Sequence, residues 1–95
     1  MPTYIMLSNL TDSGAKTVSK KPERIKEVNS ELEKAGVKVM AQYATLGSYD
    51  FVNVVEADSN TTIAKASVKL ASRGSIRITT LAAVDIEEFI SSLTE

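Results

Sequence analysis

Cysteine and histidine are both missing from this sequence. Without cysteine there is no disulfide, no thiolate metal site and no thiol redox chemistry. Without histidine the chain lacks the usual general base at neutral pH and the commonest metal ligand. Ser–His and Cys–His nucleophilic pairs are impossible within one chain. Tryptophan is absent too, and Phe51 and Phe89 are the only phenylalanines. The core must therefore be light, filled by Val, Ile, Leu and Ala. A thin core of this kind gains stability by association. No apolar run approaches the roughly 18 residues of a membrane span. The apolar patch at Tyr4–Leu7 has no basic segment before it and no cleavage site after it. The expectation is a soluble, cytoplasmic protein.

A charge excess of either sign is also missing, with 11 basic against 12 acidic residues. That argues against a general attraction to nucleic acid or anionic membrane. The one basic stretch is residues 16–27, where Lys16, Lys20, Lys21, Arg24 and Lys26 face Glu23 and Glu27. It reads first as a solvated helix face, with an anion site as the alternative. There is no glycine-rich phosphate loop and no metal-spaced carboxylate cluster. Nothing in the sequence asks for a cofactor or a metal.

Ninety-five residues suit one domain, spanning 1–95. Thr3–Leu10 reads as a strand apolar on both faces, which places it centrally in a sheet. Thr11 can cap a short helical turn through Val18, weakened by Gly14, in a stretch that also reads as a mobile loop. Ser19–Ala35 reads as the first main helix, with Pro22 in its first turn and Ile25, Val28, Leu32 and Ala35 on one stripe. Gly36 stops it.

Val37–Leu46 and Tyr49–Ala57 read as a β-hairpin about a two-residue Gly47-Ser48 turn. Strict alternation puts Val39, Ala41 and Tyr43 on one face of the first of these strands, and Gln42 on the other. Asp58-Ser59-Asn60 starts a second helix that ends near Ser72. Ser75–Ala83 is the fourth strand, and Asp85 caps a short final helix.

The order is β-α-β-β-α-β plus a C-terminal helix. It predicts an α+β, ferredoxin-like fold with one antiparallel four-stranded sheet and both main helices on one face. The other face would be bare and apolar, to be covered by a second sheet or by the C-terminal helix. The expected partner is a second copy of the chain, packed sheet to sheet.

The sequence resembles the GYD domain family. The likeness rests on Gly47-x-Tyr49-Asp50, the valine-rich strand after it and Glu56-Ala57-Asp58. Leu10-Thr11, Gly14, Arg24 and the Gly74–Thr80 strand support it. A similar turn and strand occur in ligand-sensing domains of leucine-responsive regulators and in other dimeric α/β-barrel proteins. The resemblance implies a ferredoxin-like fold that assembles through its sheets, and it implies little about activity.

Six residues are candidates for a ligand site. Asp50 can accept backbone N–H groups of the bend, or stand at a cleft mouth for proton transfer or to hold an amine. Tyr49 packs with its hydroxyl at the rim. Asn53, like Gln42, is an amide in an apolar strand and needs a partner if buried. Arg77 can bind a carboxylate or phosphate bidentately. Arg24 can do so too, or join Arg77 and Glu56 in ion pairs at the sheet edge. Tyr43, with Tyr4 and Met6, is expected on the face away from the helices. Two functions fit: a non-catalytic homo-oligomeric module that binds a small metabolite, or a small cofactor-free enzyme of isomerase or monooxygenase type.

Overall fold

A computed structural model describes residues 1–94. The elements are β1 (Thr3–Leu10), α1 (Asp12–Lys20), α2 (Arg24–Lys34), β2 (Lys38–Ala44), β3 (Phe51–Glu56), α3 (Asn60–Ala71), β4 (Ile76–Ala83) and α4 (Ile86–Leu93). One antiparallel sheet runs in the order β2-β3-β1-β4. This is the ferredoxin-like α+β arrangement that the alternation of strand and helix patterns implies.

The core lies between one face of the sheet and the helices. Tyr4, Met6 and Val55 from the sheet meet Leu32 of α2 and Ile63, Ala66 and Leu70 of α3. Tyr4 and Met6 are only 2% and 3% exposed, so they belong to the helix-covered face, not the open one. The reason is register. Tyr4 pairs with Val55, and both point at α3, whose Asn60 accepts the Tyr4 hydroxyl proton.

Four local expectations need correction. The helix read from Ser19 begins only at Arg24, and Ser19 and Lys20 instead complete α1, the turn expected from the Thr11 cap, which runs on past Val18. Thr11 caps α1 by accepting the Gly14 N–H at 3.2 Å. Pro22 then separates α1 from α2, because it has no N–H to give and holds Lys21 out of the helical region at φ −133°, ψ 78°. Gly14 does not weaken α1. It is buried, and a Cβ there would collide with the Ser75 carbonyl oxygen.

The hairpin connection is longer than two residues. Residues 46–49 form the loop, closed by the Thr45 N–H donating to the Asp50 carbonyl at 2.8 Å. Gly47 takes φ +104° in it.

Alternation along β2 is broken by a β-bulge. Val39 pairs with Val55 and Ala41 with Val54, which leaves Met40 as the extra residue. The slip moves Gln42 onto the helix side with Val39, and Tyr43 onto the open side.

The open face carries two apolar rows across the strands. Ala41, Val54, Ile5 and Leu81 form one, and Tyr43, Val52, Leu7 and Thr79 the other. The C-terminal helix does not cover them. Its stripe of Ile86, Phe89, Ile90 and Leu93 remains about half exposed or more, and it packs substantially on no other element.

Candidate functional site

On the helix side, α2 packs over β2 and α3 over β4. Between them lies a cavity of about 100 Å³. Met6, Phe51, Ile76 and Ile78 from the strands form much of its apolar wall, and Val18, Ile25, Val28 and Leu70 close it from above. Its polar lining is sparse. Ser8, Gln42 and Asn53 face it from the sheet, and Thr17 and Ser75 from its rim. Arg24 and Arg73 are the only charged residues that line it among those described, and no acidic residue does.

Two features of this lining carry chemical information. The first is the amide pair on the sheet. Gln42 and Asn53 are register partners on β2 and β3. Asn29 Nδ2 on α2 donates to Gln42 Oε1 at 2.7 Å, tying helix to strand. Asn53 Oδ1 is buried and accepts no hydrogen bond, and the same holds for Asn29 Oδ1. A buried acceptor without a donor costs about 1–3 kcal/mol, so a group that donates to it is favoured there.

The second feature is an ion-pair cluster. Arg24 Nη1 lies 3.3 Å from Glu27 Oε2 and 3.4 Å from Glu31 Oε1. The other carboxylate oxygen of Glu31 meets Arg73, just past the end of α3. Glu31 thus links α2 to α3. The Arg73 guanidinium hydrogen-bonds its carboxyl and holds its pKa below the ordinary value. Partial burial pushes the other way, and the charges of Arg73 and Arg24 add to the lowering.

Asn53 and Arg24 line this cavity. Tyr43 and Arg77 do not. Both stand on the open face, Tyr43 60% exposed and Arg77 opposite Asn9 of β1. Asn53, Tyr43 and Arg77 therefore do not converge. Arg24 pairs with Glu27 and Glu31 instead of reaching Glu56. Asp50 is tied to β1: its Oδ2 accepts the Leu10 N–H at 2.8 Å, and its own N–H donates to the Ser8 carbonyl at 2.9 Å. Tyr49 is half-buried in the loop, where its carbonyl accepts the Thr45 hydroxyl at 2.6 Å.

Arg73 and Ser8 were not singled out by sequence reasoning. Arg73 reads as an ordinary cation at a helix end, and Ser8 as one polar residue in a long apolar strand. The bulge that turns Gln42 inward leaves no mark in the sequence. Among the described residues no group of three His, Cys, Asp or Glu side chains is placed to hold a metal ion. Nor is any helix long and apolar enough to cross a membrane.

Residues 4–93 match the GYD domain. The chain belongs to the GYD domain family. A relative from Thermus thermophilus is 60% identical over 94 residues, covering 98% of this chain and 99% of its own. It is named glutamine synthetase and cystathionine beta-lyase binding protein. Two solved structures share the fold. FFRP-DM1 superposes with a TM-score of 0.63 at 21% identity, covering 88% of this GYD chain and 100% of its own. A second protein of Thermus thermophilus gives a TM-score of 0.59 at 18% identity, covering 90% and 95%.

Proposed function

We propose that this GYD chain is a non-catalytic binding module that acts as a homo-oligomer in the cytoplasm and docks on metabolic enzymes. Glutamine synthetase and cystathionine β-lyase are the partners of choice. The observation that carries this reading is the 60% identity, along nearly the full length of both chains, to the relative named for binding those two enzymes. The cavity lining supports it from the chemical side. Among the described residues the cavity is lined by no carboxylate, imidazole, thiol, phenol or amine to move a proton at neutral pH. Asp50, the carboxylate in the GYD motif, is occupied by a backbone amide outside the cavity.

The open sheet face supports self-association. Ile5, Leu7, Val52, Val54, Leu81 and Tyr43 form an apolar surface of the kind that marks an interface. A second copy would cover this face and the bare stripe of α4. The cavity would remain within each subunit as a site for a small metabolite.

The docking reading is tested by immobilising glutamine synthetase and cystathionine β-lyase from the same organism and passing the purified chain over each. Saturable binding to at least one is expected. Binding no greater than to an unrelated enzyme of similar size and charge contradicts it.

A further inference from the structure

We infer that the cavity takes a small monocarboxylate whose far end carries a neutral hydrogen-bond donor, a hydroxyl or a primary amide. This rests on the reading of the cavity as a ligand site, and it goes further by naming the ligand's chemistry. Three observations fix the class.

Size comes first. About 100 Å³ is well below the roughly 300 Å³ at which drug-sized sites begin, so the cavity holds a small molecule and not a whole nucleotide or flavin. The body must be apolar, because Met6, Phe51, Val28, Ile76 and Ile78 surround it.

Charge comes second. Arg24 and Arg73 line the cavity without any acidic residue beside them in the lining. Their partners, Glu27 and Glu31, sit on α2 outside it. Each guanidinium already pairs with a glutamate of α2, and a ligand carboxylate would take up the N–H groups those pairs leave over, since a guanidinium carries five donors.

The third observation is the unpartnered acceptor. Asn53 Oδ1 belongs to β3, on the sheet side of the cavity, whereas Arg24 belongs to α2 and Arg73 to the turn after α3; the oxygen is buried with nothing donating to it. It asks for a donor at the opposite end of the ligand. An ammonium there would enter an apolar space with no carboxylate to balance it, a cost that a hydroxyl or amide avoids. The ligand is thus bipolar, with its carboxylate at the arginine rim and its neutral donor on Asn53.

The test is an amide-resolved NMR titration of the full chain with three probes of one length: 6-hydroxyhexanoate, hexanoate and hexan-1-ol. 6-Hydroxyhexanoate is expected to shift the Asn53 and Gln42 side-chain amides saturably. It should bind about ten-fold more tightly than either comparator, since each lacks one of the two polar contacts. Asn53→Leu should erase its advantage over hexanoate, and Arg73→Gln its advantage over hexan-1-ol. The wild-type comparison stands alone if either variant fails to fold. Equal binding of 6-hydroxyhexanoate and either comparator overturns the proposed class while leaving the cavity as a ligand site. No saturable shift with any probe overturns both.

Discussion

Gly14 shows how much one side chain's absence can decide. Its Cα rests against the Ser75 carbonyl, where the Thr11 N–H also donates at 3.0 Å, so α1 docks on the turn before β4 through bare backbone. Gly14→Ala would push that backbone apart. It should destabilise the fold by about 3 kcal/mol in urea unfolding, since backbone rather than a flexible side chain must move. An unchanged midpoint would show that α1 is free to shift.

Glu31 acts through charge. Its folded pKa lies below the ordinary value of 4.5, so the folded state favours the ionised form. That stabilisation is complete above about pH 4.5 and is lost as pH falls through the lower, folded value. The carboxylate is one-third exposed, so solvent screens the pair and its worth is at most about 1 kcal/mol. Glu31→Gln should therefore be slightly less stable than the parent at pH 7, with the gap closing in acid. A gap that widens as pH drops would contradict the assignment.

Among the elements, α3 and α4, each capped by a side chain at its N-terminus, invite a direct comparison. Ser59 caps α3 by accepting the Thr62 N–H at 3.2 Å. Asp85 caps α4 through the Glu87 and Glu88 N–H groups at 3.1 and 3.3 Å. Local chemistry makes both worth about 1 kcal/mol to their helices. Only α3 contributes to the core, through Ile63, Ala66 and Leu70. Ser59→Ala should thus lower global stability by about that amount, whereas Asp85→Ala in the isolated subunit should leave the main transition unmoved. Circular dichroism melts at low protein concentration separate the two cases.

The strands and helices were legible where pattern and chemistry agreed. The alternation of β1 and β4, the Ser59 and Asp85 caps and the stop at Gly36 all appear in the fold as their residues suggest. Features set by a single residue were harder to read. Pro22 suits the first turn of a helix and equally ends the one before it, so the Thr11 cap was readable but the break after Lys20 was not. Met40 adds one residue to β2, and in a strand with apolar residues at both parities no register is favoured by pattern alone. The same ambiguity hid the face of Tyr4 and Met6. The cavity was less legible still. Asn53 and Arg24 carried a signal, as a polar residue in an apolar row and a cation in a helix. Arg73 joins them only because the fold brings the ends of α2 and α3 together over one sheet.

At the scale of the whole molecule, the chain has one covered sheet face and one bare one. The bare face and the stripe of α4 together leave Leu81, Phe89 and Leu93 exposed and Leu7 and Val52 half-exposed, at a cost that association would remove. Leu7→Glu with Phe89→Glu should shift sedimentation from oligomer toward monomer and leave the circular dichroism spectrum intact. If the parent itself sediments as a monomer at micromolar concentration, the self-association reading is wrong. The central claim is that this GYD chain works by binding enzymes, with no chemistry of its own. Sedimentation velocity of the chain mixed with glutamine synthetase, and separately with cystathionine β-lyase, tests it most directly. The account predicts that, with at least one of the two, chain and enzyme co-migrate in a boundary faster than either alone. Independent boundaries at every mixing ratio with both enzymes would contradict it.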